Sequence, residues 1–122
     1  MGMHMKAIVE IAPRNAVFHS AARQFAEAAA GKAPDFRLSF ESARTLFADL
    51  TAARLDLLDT LSRVGPCSVY LLAKSAARNY SNVHADVSRM EELGLIERTP
   101  DGSIIVPFEA IEIRLPLRRA AA

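Results

Sequence analysis

Residues 75–97 read "SAARNYSNVHADVSRMEELGLIE", and the phase of their apolar residues decides how the chain folds around them. The run predicts the end of one helix, a short turn at Asn79 and Tyr80, and a second helix over 81–93. Ser81 is its expected N-cap and Gly94 its stop. At 100° per residue Val83, Val87, Met90 and Leu93 share one face, which belongs in a core. The opposite face carries Ser81, His84, Ala85, Ser88, Arg89 and Glu92, with Asn82 and Asp86 at its flanks. An exposed helix ordinarily carries long charged side chains there. Ala85 and Ser88 instead leave the backbone uncovered, which permits the close approach a DNA major groove requires. His84 and Arg89 have the reach for base edges or phosphates. Ser81 adds a hydroxyl and free backbone N–H groups at the positive end of the helix.

The flanking sequence supplies the rest of a fold. Ser42 opens a helix carrying Leu46, Phe47 and Leu50. Thr51 caps another, with Leu55, Leu58 and Leu61 inward, closed by Gly65-Pro66. Ser68 caps "VYLLAKSAA", whose Val69, Leu72 and Ala76 share a face. Beyond Gly94, "LIER" and "SIIVP" flank "TPDG", a turn with Pro at its second position and Gly supplying positive φ at its fourth, and so predict a hairpin. Outside this block lie "KAIVEI" at 6–11, a helix over about 15–30 between Asn15 and Gly31, "DFRLSF" at 35–40, and "AIEIRLPL" at 110–117. The last two alternate with the period of half-buried strands.

Composition narrows the function. Leu, Ile, Val and Phe number 33 of 122 residues, enough for a packed core. Net charge is +1, so any electropositive face must come from arrangement. One local excess exists: between Arg63 and Met90 stand Arg63, Lys74, Arg78 and Arg89 against Asp86 alone. The lone Cys67 excludes an internal disulfide and fits a reducing, cytoplasmic setting. The N-terminus has neither a signal-peptide pattern nor a myristoylation signal, and no apolar run has membrane-spanning length. His4, His19 and His84 lack ligand spacing, and no nucleophile motif, phosphate loop or carboxylate pair occurs. No enzyme, metal or cofactor is expected.

From Ser68 to Glu97, "SVYLLAKSAARNYSNVHADVSRMEELGLIE" resembles the winged-helix segment of the MarR/ArsR-like predicted transcriptional regulators of bacteria and archaea. Set against a pattern of the type "SV.ELA…R….V..DV..L…GLI", the matches are Ser68-Val69, Leu72-Ala73, Arg78, Val83, Asp86-Val87 and Gly94-Leu95-Ile96, with Met90 where Leu is usual. The resemblance covers about Phe40 to Pro107. It implies sequence-specific binding of double-stranded DNA by a dimer, and some relatives in this class are antitoxins that repress their own operon.

The expected fold is therefore α+β, mostly α. A strand–helix–strand extension occupies 1–40, a winged helix-turn-helix 41–107, and a C-terminal strand with a basic tail 108–122, within one compact domain. The expected function is a repressor that reads the major groove with helix 81–93; the alternative is an antitoxin or interaction module clamping a toxin-like protein. Expected DNA contacts are Lys74, Arg78, Ser81, Asn82, His84, Ala85, Ser88, Arg89 and Arg98. Lys74 and Arg78 are assigned to phosphates, Arg98 is the wing's only cation, and Asp101 at its tip would repel phosphate. Arg89 has an alternative partner in Glu91 or Glu92, and Asp86 is read as a structural charge for Arg78 or Arg89. A homodimer is expected, because three short apolar strands outside the winged helix leave edges that need partners.

Overall fold

The computed structural model describes residues 5–12 and 35–117; the helix expected over 15–30 and the basic tail after Leu117 lie outside the described residues. In chain order the elements are β1 (Lys6–Ile11), β2 (Phe36–Phe40), α1 (Ala43–Asp49), α2 (Ala52–Val64), α3 (Val69–Ala76), α4 (Tyr80–Glu92), β3 (Glu97–Arg98), β4 (Ile104–Ile105) and β5 (Ala110–Arg114). The protein is α+β, and no described helix is long and apolar enough to cross a membrane. The chain divides into two compact units, one formed by 1–48 with 108–122 and the other by 49–107. The second is thus an insertion that begins at Asp49, the last residue of α1, and ends before β5.

In the first unit the three outlying strands pair with one another. They form a parallel sheet in the order β2-β1-β5, with Val9 of β1 opposite Leu38 on one side and Ile113 on the other. This corrects the expectation of isolated edges: each strand's partner comes from a distant part of the same chain. Ala7, Ile8 and Val9 are all buried; because successive side chains point to opposite faces, both faces of β1 are covered. Phe36 stacks on Phe108 at 5.4 Å between ring centroids. Arg37 of β2 lies 3.5 Å from Glu10 of β1, and Lys6 lies 3.2 Å from Glu112. The last strand stops at Arg114 rather than running to 117, short of Pro116, which has no N–H for a ladder. Ser42 and Thr45 cap α1 reciprocally: the Thr45 N–H donates to Ser42 Oγ at 3.1 Å and the Ser42 N–H to Thr45 Oγ1 at 3.2 Å.

The second unit is built on local signals that act as expected. Thr51 accepts the Arg54 N–H at 3.2 Å and Ser68 the Leu71 N–H at 3.1 Å, so each hydroxyl satisfies a donor left open in a first turn. Two expected core positions move. On α2 the buried leucines are Leu57, Leu58 and Leu61, while Leu55 is half-buried. Leu55 sits about 110° around the helix from the centre of that face. On α3 Ala73 is buried with Val69 and Leu72, and Ala76, in the last turn, is only half-buried.

The hairpin forms as expected. Arg98 pairs with Ile104, the Gly102 N–H donates to Thr99 O at 2.9 Å, and Gly102 takes φ 90°. Asp101 accepts from the Thr99 hydroxyl and, at 3.0 Å, from the Ser103 N–H, so this acid folds the turn. Cys67 extends the hairpin: its carbonyl accepts the Ile104 N–H at 2.8 Å. Its thiol is buried, which pushes its pKa up.

Candidate nucleic-acid interface

Two tight chain reversals hold α4 in place. After α3, Ala77 adopts the left-handed conformation (φ 54°, ψ 45°). The Arg78 N–H then donates to Ala73 O at 3.0 Å and the Ala77 N–H to Lys74 O at 3.1 Å, the paired bonds of a Schellman ending. After α4 the motif recurs with Gly94 at φ 85°, where the Leu95 N–H donates to Met90 O at 2.9 Å and the Gly94 N–H to Glu91 O at 3.0 Å. Leu95 and Ile96 are thereby turned inward and buried.

The start of α4 lies earlier than the sequence reading places it. Asn79, not Ser81, is the N-cap; its Oδ1 accepts the Asn82 N–H at 3.2 Å. The turn is Ala77–Asn79 and the helix runs Tyr80–Glu92 rather than 81–93. An Asn carboxamide caps as well as a Ser hydroxyl, and Ala77 has already reversed the chain, so the earlier residue wins. The helix phase is unaffected: Val83, Val87 and Met90 are buried, while Leu93, now the C-cap, is half-buried. Ser81, Asn82, His84 and Ala85 are exposed and Ser88 is half-buried.

The arginines near α4 are engaged by carboxylates: the expected pairs Arg78–Asp86 and Arg89–Glu92 form, and Asp49 and Arg54 join them. Arg78 Nη2 donates to Asp86 Oδ2 at 2.8 Å and Arg54 Nε to Asp86 Oδ1 at 2.9 Å. Arg54 Nη1 donates to the Asp49 carbonyl at 3.0 Å and lies 3.7 Å from its carboxylate. Arg89 takes both Asp49 oxygens, at 2.8 and 2.7 Å, and reaches Glu92 at 3.0 Å. The result is a ladder of alternating charge, Arg78–Asp86–Arg54–Asp49–Arg89–Glu92, neutral as a whole. Arg98 is likewise engaged by Glu91, at 2.7 and 3.1 Å. Of the basic residues between Arg63 and Met90, Arg63, Arg78 and Arg89 are thus each paired with a carboxylate, from Asp59, Asp86 and Asp49, and residues 49–107 together carry six basic and eight acidic side chains.

The ladder fixes protonation states. The Arg89 hydrogen bonds hold the Asp49 carboxyl below its usual value of 3.8, outweighing burial. Burial pushes Asp86 up, but the bonds from Arg54 and Arg78 prevail and it too lies below 3.8. Glu91 is lowered by Arg98. Asp49 and Arg54 were not singled out from sequence, since nothing in their local spacing marks them as partners of α4. Lys74 has no ion pair among the described residues; its Nζ lies 6.0 Å from the Tyr70 ring centroid. Among the described residues no group of His, Cys, Asp or Glu is placed to hold a metal.

A family model described as HVO_A0114 matches residues 49–113, just over half the chain. The chain belongs to the HVO_A0114 family. The match spans the whole inserted unit, including every charge in the ladder, and runs on into β5. Outside the HVO_A0114 family model, neither a curated protein nor a solved structure matches the chain.

Proposed function

We propose that this HVO_A0114-family protein is a cytoplasmic, sequence-specific DNA-binding transcriptional regulator, a repressor acting as a homodimer. In this reading the inserted unit is a winged helix-turn-helix and α4 enters the major groove. The order α2, α3, α4, hairpin supports the winged-helix assignment, as does the pairing of Cys67 with the hairpin strand at Ile104.

One observation carries the proposal. The outward N-terminal half of α4 exposes Ser81, Asn82, His84 and Ala85 without a single free carboxylate. Asp86, the one acid in that half, has both oxygens occupied by Arg54 and Arg78. A short, polar, acid-free face is what close approach to base edges demands. The test is selection from a random duplex library with the full chain, followed by titration over a salt series. A recurring site is expected, with affinity falling steeply as salt rises. A pool without a recurring sequence, together with salt-insensitive binding, would overturn the proposal.

A second reading, a docking module for a toxin-like protein, is favoured by the acidic balance of residues 49–107 and by the exposed Tyr70, Leu71 and Tyr80. It predicts no duplex selection at physiological salt.

A further inference from the structure

Two helices each present an aromatic residue and a nitrogen-bearing side chain one turn apart: Tyr70 with Lys74 on α3, and Tyr80 with His84 on α4. The two pairs meet. The Tyr70 and Tyr80 rings lie 6.5 Å apart at an interplanar angle of 49°, and Tyr80 lies 5.8 Å from the His84 ring at 45°. With Lys74 Nζ 6.0 Å from the Tyr70 centroid, they form one continuous cluster. It is solvated rather than packed: Tyr70 is 63% exposed and Tyr80 48%. Aromatic rings held together in solvent mark a contact surface.

The charge pattern selects the occupant. Every guanidinium near α4 is committed to a carboxylate, Arg54, Arg78 and Arg89 in the ladder and Arg98 at Glu91. The cluster holds the one ammonium of this unit without an ion pair among the described residues, two phenol hydroxyls and an imidazole. Ser81, next to Tyr80, adds a hydroxyl. On α4 the carboxylates near His84 are Asp86, whose oxygens are taken by Arg54 and Arg78, and Glu91, which interacts with His84 and is held by Arg98. Such a set supplies hydrogen-bond donors and a positive charge, which complements a phosphate row and not a basic or apolar protein face.

Resting on the DNA-binding reading above, we infer that the Tyr70–Lys74–Tyr80–His84 cluster is the phosphate-backbone contact of this protein. It docks one strand of the duplex beside the groove that α4 enters. Of the two phosphate contacts that the sequence alone suggests, Lys74 is kept and Arg78 is not: Arg78, like Arg89 and Arg98, instead orients α4 and the hairpin. Exposed rings then gain a function: they hold Lys74 and the hydroxyls on one surface, so that fewer rotamers are lost on binding.

The test uses the full chain, a labelled duplex taken from the selected pool, and fluorescence anisotropy at several salt concentrations. Lys74→Gln is expected to flatten the log–log salt slope by about 0.9, the loss of one phosphate contact, and to weaken all sequences alike. Tyr70→Phe and Tyr80→Phe keep the rings and remove only the hydroxyls; each should lower affinity severalfold without changing the preferred site. Arg98→Gln should leave the slope unchanged. If the native chain binds the duplex but the Lys74 and tyrosine variants match it in slope and affinity, the inference fails while the DNA-binding reading stands. A flatter slope in Arg98→Gln, with Lys74→Gln unaltered, would return the role to the arginines. A native chain that binds no duplex, while these same variants weaken capture of a protein partner, overturns both.

Discussion

Arg89 and Asp49 meet at two points, Nε to Oδ1 at 2.8 Å and Nη2 to Oδ2 at 2.7 Å, across 40 residues of chain. The contact joins the last residue of α1 to the third turn of α4. Bidentate Arg–carboxylate pairs are directional as well as strong, so this one sets the rotation of α4 along with its position. Asp86 completes the restraint by receiving Arg54 from α2 and Arg78 from the turn after α3.

Acid should therefore loosen the inserted unit. Asp49 and Asp86 both have folded-state pKa values below the ordinary 3.8. As pH falls, the unfolded chain takes up protons first, and the folded state loses its advantage. The stabilisation is complete above the ordinary value and is lost as pH drops through the depressed one. Urea midpoints measured between roughly pH 7 and pH 2.5 should be level at first and then decline below about pH 4. Asp86→Asn loses the charge that two guanidinium groups share and should cost about 2 kcal/mol at neutral pH, with a shallower acid limb. An acid limb unchanged in Asp86→Asn would show that the ladder does not govern it.

Ala77 and Gly94 end α3 and α4 with the same pair of backbone bonds, yet only one is glycine. Left-handed backbone costs a residue with a Cβ about 1 kcal/mol. Ala77→Gly should raise stability by about 0.5–1 kcal/mol, and Gly94→Ala should lower it by about 1 kcal/mol or more. Thermal melting of the two variants beside the native chain gives opposite shifts; shifts of the same sign would contradict the shared motif.

The face of α2 can be phased by a pair of truncations. Leu57 is 1% exposed, and Leu57→Ala should cost about 2–5 kcal/mol. Leu55, half-buried on the other side, should cost no more than about 1–2 kcal/mol on truncation. Denaturant midpoints that rank Leu55 above Leu57 would restore the face expected from sequence.

Ala85 tests the groove directly. It is exposed on α4, opposite Val83, Val87 and Met90, and glutamate is within a few tenths of a kcal/mol of alanine in helix propensity, about 0.4. Ala85→Glu should leave melting unchanged and weaken DNA at least about tenfold, through lost contact and a carboxylate set against phosphates. Unaltered DNA affinity in this variant would show that the face does not enter the groove.

What the chain reveals on its own is whatever lies within a turn or two of itself. Thr51 and Ser68 cap because a hydroxyl needs only reach an N–H three residues on. Val83, Val87 and Met90 share a face because the helix period puts them there, and "TPDG" turns because Gly102 takes a positive φ that other residues resist. Even the small error at the start of α4 is local, a competition between Asn79 and Ser81 for the same cap. The candidate DNA-facing surface was legible to the same degree, as a row of side chains on a helix. Which of those side chains stay free to bind was not. Nothing local tells Arg89 that its partner is Asp49 rather than Glu91, or tells Arg54 to meet Asp86, 32 residues away. Nor does any local rule say that "KAIVEI", "DFRLSF" and "AIEIRLPL" lie in one parallel sheet, since parallel strands meet only through long crossovers. Ion pairing and strand pairing select among many chemically equivalent partners, and only the packing that brings distant segments to within 3 Å of each other makes the choice.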